Sequence, residues 1–479
     1  MTKKIILLSI LLIPGLINSQ EKSLTLFLSD SSIANASVSM CFLNTADGEC
    51  VFEQNADKSL IPASILKLVT SSAALELLGP DYKFKTVIGY SGSLNKRAGK
   101  LTGDIIIKGG GDPALGSDYF KDYYQNFPDN WITAIKNLGI KKIDGRIITD
   151  DSRYDYQPVP AKWLWEDTGN YYGAGVFGLS VFDNTYKIHF RTSFEGSLPV
   201  ITMVTPEYCW YKLSNQLVAA GTEDKGYVFA APYSNTGWLA GSIPVDRNDY
   251  ILKASIPDPP LLLAEIIDNK LDSAGITISG NPSTARIEMR SYDDGTVIIS
   301  EEFSPPLKKI IEVLNHESLN MIAEHLLKEL GKVYKGKGTT MAGIDVVKQF
   351  LGGAGVGDNG IFMEDGSGMS PLDGITARGM AKLLFLMKIR GRYFPDFYSS
   401  LPDAGKEGTL KNYFRDPIFD SKIKAKSGSM TRVRSYAGYL KTISGKDLVF
   451  CIIVNNFTGP SQKIVAGIEG ILKETILNK

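Results

Sequence analysis

The chain has 479 residues, 43% of them hydrophobic and 22% charged, with Lys plus Arg and Asp plus Glu balanced at 52 each. That length exceeds what one hydrophobic core supports and predicts two or three domains. The charge balance removes the compositional case for a nucleic-acid binder that works by counterion release.

The first element, MTKKIILLSILLIPGLINSQEKS, has two lysines, an apolar run broken by Pro14 and Gly15, then small and polar residues. It reads as a secretory signal over residues 1–19, removed after about Ser19, rather than as a membrane span. No later stretch is long and apolar enough to cross a bilayer, so an exported periplasmic or cell-envelope chain without a transmembrane anchor is expected. Export permits disulfides among Cys41, Cys50, Cys209 and Cys451. Cys41 and Cys451, however, lie in the apolar runs SVSMCFL and LVFCIIV, where buried free thiols are the expectation.

Next, SVSMCFLNTADGECVFEQN predicts a hairpin turning at Ala46, Asp47 and Gly48. LIPASILKLVTSSAALELLG follows as a helix with almost no polar face, starting at Ser64 and closed by Gly79 and Pro80. From Tyr82 the pattern changes to short alternating strands, the glycine run GGGDPALG and a helical piece near residues 117–138. The glycine run lacks the Lys-Ser/Thr pair of a phosphate loop, and Pro113 blocks a helix there, so it reads as a structural turn. In WLWEDTGNYYGAGVFG, the rings of Trp163, Trp165, Tyr171 and Tyr172 are expected to pack under a long loop rather than to stack on a ligand.

Long helices return at Ser304, with a break near residues 315–317 in PPLKKIIEVLNHESLNMIAEHLLKELG. SKIKAKSGSM, VRSYAGYLKTI and DLVFCIIVNN then predict three successive antiparallel strands, and SQKIVAGIEGILKETILNK a helix packed on their sheet. The pattern is that of an α/β multi-domain protein. Residues 20–80 and 298–479 form one unit, an antiparallel sheet flanked by helices. A mostly β insertion, 81–297, divides into two smaller domains.

Three short motifs carry chemistry. Ser64-Ile65-Leu66-Lys67 places a hydroxyl and an amine one turn apart at the start of a buried helix. Desolvation disfavours the ammonium, so Lys67 can take the serine proton, and the helix start offers N–H groups to a developing oxyanion. Ser318-Leu319-Asn320, at a helix boundary, supplies a second hydroxyl for proton relay and an amide able to bond both a lysine and a substrate carbonyl. A second S-x-N, at Ser93-Leu94-Asn95, falls in a Gly/Lys-rich segment expected to be loop. Lys426-Ser427-Gly428, on a strand and followed by Ser429, combines a cation and a hydroxyl suited to a carboxylate with a glycine that permits close approach. With only His189, His316 and His325, and no close Cys/His cluster, a zinc site has little support and a Ser/His/Asp triad is poorly served.

The order S-x-x-K, S-x-N, K-[ST]-G resembles the penicillin-recognising serine enzymes. The long separation between the first two motifs is similar to that of the class C low-molecular-mass penicillin-binding proteins, the D-alanyl-D-alanine carboxypeptidase/endopeptidase family. GGGDPAL, DGRIITDDSRYD, EDGSGMS and KAKSGSMTRVRSYAGYL resemble that family too. Two positions depart from it: Ser427 stands where threonine is more usual, and PLDGITA follows EDGSGMS where an arginine and an asparagine are more common. The resemblance implies a β-lactamase/transpeptidase-like catalytic domain and peptidoglycan stem peptides as substrates. It implies Ser64 as nucleophile, Lys67 as base, and Ser318 and Lys426 as the groups that hand the proton to the leaving amine. Asn320 positions the substrate, Lys426 with Ser427 binds its carboxylate, Gly428 admits it, and the N–H groups of Ser64 and Ser429 hold the oxyanion. No metal or cofactor is implied, and β-lactams are expected as covalent inhibitors. A serine β-lactamase and a non-catalytic cell-wall binding protein are the alternatives.

Overall fold

The computed structural model describes residues 19–207, 211–292, 295–356 and 360–478. The expected signal segment, Ser19 apart, and Cys209 lie outside them.

The predicted hairpin forms Ser37–Asn44 and Cys50–Gln54. It joins a five-stranded antiparallel sheet in the order Cys50–Gln54, Ser37–Asn44, Asp447–Asn455, Val433–Lys441, Ile423–Met430. Alternation along each strand sends Met40, Phe42, Phe450 and Ile452 to one face and Cys41, Leu43, Val449 and Cys451 to the other. Both faces are covered, which is why these strands read as continuous apolar runs. Helix Ser461–Asn478 lays Ile464, Ile468, Ile471 and Leu472 on the first face. Against the second face packs helix Ala377–Arg390, and the central helix Lys67–Leu78 joins the same core through Leu68, Val69, Ala73 and Leu75. Cys41 and Cys451 sit directly opposite one another as buried free thiols, and burial pushes Cys41 up to about 12.

Helices Leu307–Glu317 and Asn320–Lys335 flank the central helix. The break between them falls at Ser318 and Leu319, slightly later than expected, because Ser318 leaves the first helix in the left-handed conformation (φ 61°).

Between the two chain ends, five short strands form a mixed sheet ordered Ser283–Thr284, Ile147–Asp150, Ile105–Lys108, Lys85–Tyr90, Val297–Phe303. A four-stranded sheet includes Ser93–Asn95, a strand where loop was expected, and helices Asp129–Asn137 and Pro259–Ser273 accompany the two. Two further sheets, centred on Thr185–Arg191 and Thr236–Ile243, enclose a separate core of Ile188, Phe190, Val228, Leu239 and Leu252.

The glycine run is a structural turn, as expected. Buried Asp112 accepts from the Ala114 N–H and the Tyr124 hydroxyl, and His325 bonds the Gly111 carbonyl at 3.0 Å. Glu329, fully buried on the Asn320–Lys335 helix, ties the middle of the chain to the helices: it accepts from Tyr82 (2.5 Å), Tyr154 (2.9 Å) and the Arg153 guanidinium (Nε, 3.0 Å). Glu329→Ala leaves these donors around an empty site. It is expected to cost about 3 kcal/mol, read as a lower midpoint in urea denaturation followed by tryptophan fluorescence, with a smaller loss for Glu329→Gln.

Candidate active site

Ser64 lies in a 3₁₀ turn, Ala63–Leu66, and the α-helix starts only at Lys67. The sequence predicts an α-helix from Ser64; the tighter turn serves the chemistry better, because at three residues per turn positions i and i+3 eclipse. Lys67 Nζ accordingly sits 2.9 Å from Ser64 Oγ. The chain enters this turn through Ala63, at φ 48°, a conformation that costs an L-residue on the order of 1 kcal/mol. Two contacts hold it there. Ser435 donates to the Pro62 carbonyl at 2.5 Å, and Gly368 crowds the Ala63 carbonyl so closely that a Cβ on it would lie 2.0 Å from that oxygen.

Lys67 is completely buried. Besides Ser64 its Nζ meets the Asn320 side-chain oxygen at 2.6 Å and the Ser367 carbonyl at 2.7 Å. The Asn320 amide is oriented by its own donors, which go to the Tyr172 carbonyl and the Met369 sulfur. Desolvation pushes the Lys67 amine down to about 8, against the opposing pull of Asp365, Glu324 and Asp373. A neutral amine has two N–H bonds and one lone pair. The two carbonyl oxygens take the N–H bonds, leaving the lone pair for the Ser64 hydroxyl.

Opposite, Lys426 Nζ lies 2.8 Å from Ser318 Oγ and 2.9 Å from the Ser427 carbonyl. Burial, with the nearby charge of Lys67, holds its amine well below the ordinary lysine range. The Ser427 hydroxyl donates to Thr409 at 2.7 Å. At Gly428 a Cβ would stand 2.2 Å from Ser435 Oγ, 2.7 Å from the Pro62 carbonyl and 2.9 Å from the Ser64 nitrogen, so only glycine lets this strand touch the turn that carries Ser64. Ser64, Ser318, Asn320 and Ser429 line a cavity of about 750 Å³, with Tyr172 and Lys187 on its far wall. The two lysines lie beneath its floor.

All eight residues singled out in the sequence therefore converge, six around the cleft or under it and Ser427 with Gly428 along its edge strand. Sequence reasoning missed the support beneath them. The segment EDGSGMS wraps round buried Asp365, which accepts from the N–H groups of Ser367, Gly368, Met369 and Ser370 and from the Trp163 indole at 2.7 Å. Glu324 accepts from Gly366 N–H, and the Thr70 hydroxyl donates to the Gly366 carbonyl. Burial, then the neighbouring Asp365, pushes Glu324 up to about 8 and Asp373 up to about 10. An acid followed by small residues is the signature of such a wrap, and it stands in EDGSGMS. Thr409 carried no sequence signal.

None of the three histidines lines the cavity. His325 is buried between Ser180 and Gly111, where desolvation pushes it down to about 3, and His189 pairs with Asp249. Among the described residues no group of three or more His, Cys, Asp and Glu side chains is placed to hold a metal. The aromatic loop divides. Trp163 is buried as expected, whereas Trp165 and Tyr171 are half exposed, at 51% and 52%.

The D-Ala-D-Ala carboxypeptidase 3 (S13) family profile matches residues 20–474. The chain is 28% identical over 451 residues to the D-alanyl-D-alanine carboxypeptidase of Actinomadura sp. (strain R39), covering 91% of this chain and 81% of that one. It is 21% identical over 424 residues to the D-alanyl-D-alanine carboxypeptidase DacB of Haemophilus influenzae, covering 87% and 84%. The crystal structure of penicillin binding protein 4 from Haemophilus influenzae superimposes with a TM-score of 0.79 at 21% identity, over 92% of this chain and 95% of that one. The same protein complexed with a β-lactam gives 0.76. With the sheet, the flanking helices and the match over nearly all its length, the chain belongs to the D-Ala-D-Ala carboxypeptidase 3 (S13) family.

Proposed function

We propose that the protein is a serine D-alanyl-D-alanine carboxypeptidase, with endopeptidase action on the same bond type in cross-links, acting on peptidoglycan stem peptides in the cell envelope. The observation that carries this is the Lys67 amine, buried, lowered to about 8 and aimed at Ser64 Oγ, in a chain of this family. Export rests on the two lysines and the apolar run at the N-terminus. The domain division we propose keeps both chain ends in the catalytic unit. The ladder between Val297–Phe303 and Lys85–Tyr90, which runs on to Phe303, supports a second border a few residues past 298.

Ser64 Oγ attacks the carbonyl carbon between the two terminal D-alanines while its proton passes to Lys67 Nζ. The N–H groups of Ser64 and Ser429 receive the oxyanion. As the C–N bond breaks, the proton held by Lys67 passes to the leaving amine through Ser318, which Lys426 backs from beneath, and Lys67 is neutral again. The terminal carboxylate lies at Lys426 and Ser427, whose hydroxyl turns to it from Thr409; the added negative charge favours the Lys426 ammonium. Water then cleaves the acyl ester with Lys67 again as base. A β-lactam forms the same ester and keeps its leaving group tethered, so it is expected to stay on Ser64.

Three outcomes test this. Benzylpenicillin is expected to add one acyl group to the wild type and none to Ser64→Ala in intact-mass spectrometry. An adduct persisting on the variant removes Ser64 as nucleophile, and an unmodified wild type with intact drug removes the enzyme. The reactive form of Lys67 is the neutral amine, so its lowered value places the rise in activity with increasing pH. The acylation rate constant is expected to climb about tenfold per unit below pH about 8 and to level above it; a flat profile from pH 6 to 10 contradicts Lys67 as base. Gly428→Ala pushes the edge strand off the Ser64 turn and is expected to slow acylation by about a hundredfold, with the far-UV circular dichroism unchanged.

A further inference from the structure

Beside the cleft, the sheet centred on Thr236–Ile243 turns an aromatic face to solvent. Strand alternation buries Val228 and Leu239 in the core beneath and sends Tyr227, Phe229 and Trp238 outward. Phe229 and Trp238 are direct cross-strand partners and stack at 5.2 Å with an interplanar angle of 10°. Trp165 extends the row from the neighbouring loop, 6.1 Å from Trp238, and Tyr227 continues it on the other side, 6.3 Å from Phe229. Trp165 is 51%, Trp238 39% and Tyr227 40% exposed, a costly display for rings that have a core within reach on the same sheet. The row runs into the active site: Tyr227 lines the catalytic cavity, and so do Leu164 and Glu166 on either side of Trp165.

We propose that this face binds the glycan strand that carries the stem peptide, a polymer of uncharged N-acetylated amino sugars, with Trp165, Phe229 and Trp238 as the stacking surface. Sugar rings present apolar C–H faces that lie flat on aromatic rings. The residues among the rings suit them: Ala240 opposite Tyr227 is small, and Ser214 and Thr236 offer hydroxyls at the border of the row. The four rings expose roughly 300–400 Å², short of the ~800 Å² per partner of a stable protein–protein interface but enough for two or three sugars. A stem peptide seated in the cavity brings its glycan to this border, because the cavity and the aromatic row share Tyr227. The inference rests on the peptidase function proposed above.

Two substrates with the same stem peptide separate the two ideas: the free pentapeptide, and uncross-linked glycan strands bearing it. The wild type is expected to show a higher kcat/KM on the glycan-linked form. Trp165→Ala and Trp238→Ala are each expected to remove about tenfold of that preference while leaving kcat/KM on the free peptide within twofold, and Trp238→Phe to retain most of it. An N-acetylglucosamine tetramer is expected to quench the wild-type tryptophan fluorescence saturably, and to quench Trp238→Ala less. Equal loss on both substrates assigns the rings to the peptide cleft and overturns the inference, as does an unchanged preference. A wild-type dimer that dissociates on Trp238→Ala with the preference intact also overturns it, making the face a protein interface. If the wild type cleaves neither substrate, the peptidase function fails, and the tetramer titration alone decides the glycan face.

Discussion

An amine buried in an apolar helix needs a partner for every polar bond it makes, and at Lys67 that requirement organises the structure. An unpartnered lysine there costs several kcal/mol. The partners come from one local and two distant stretches: Ser64 three residues before it, the Asn320 amide after the insertion, and the Ser367 carbonyl in the EDGSGMS wrap. Satisfying one side chain thus fixes the relative positions of the central helix, the following helix and a loop. The same desolvation that makes the partners necessary makes the amine a base near neutral pH. Stability of the buried group and its reactivity have one cause.

The middle of the chain is part of this arrangement. The Tyr172 carbonyl orients Asn320, and the Trp163 indole donates to Asp365, which shapes the loop that presents the Ser367 carbonyl. Both residues belong to the segment 163–173, which also borders the aromatic face. That segment therefore lines the cavity on one side and supports the Lys67 environment on the other.

Much of this was legible in the sequence. The five sheet strands and the terminal helix announce themselves because apolar runs and helical spacing reflect burial, and the three motifs appear because their chemistry is local, within three residues each. What stayed hidden depends on distant partners. Asp365 and Trp163 lie 202 positions apart, and most donors to Asp365 are backbone groups that any residue supplies. The 3₁₀ turn at Ser64 follows from the left-handed Ala63 held by Ser435 and Gly368, not from propensity. Ser93–Asn95 is three residues long, too short for alternation to show. Trp165 and Trp163 are two positions apart in the same aromatic run, and composition does not say which one meets water.

The second strand of the main sheet, Ser37–Asn44, pairs on one side with its hairpin partner Cys50–Gln54 and on the other with the central strand Asp447–Asn455, some four hundred positions later. Contacts of such separation are slow to form, since the chain between must be gathered before any hydrogen bond repays the loss of freedom. The main sheet is therefore completed last: the stretch between can settle while SVSMCFL waits, paired on one edge only, for the end of the chain. During that interval an apolar strand with one open edge is exposed to its neighbours. Such an edge is where a partly made chain is open to mispairing with another.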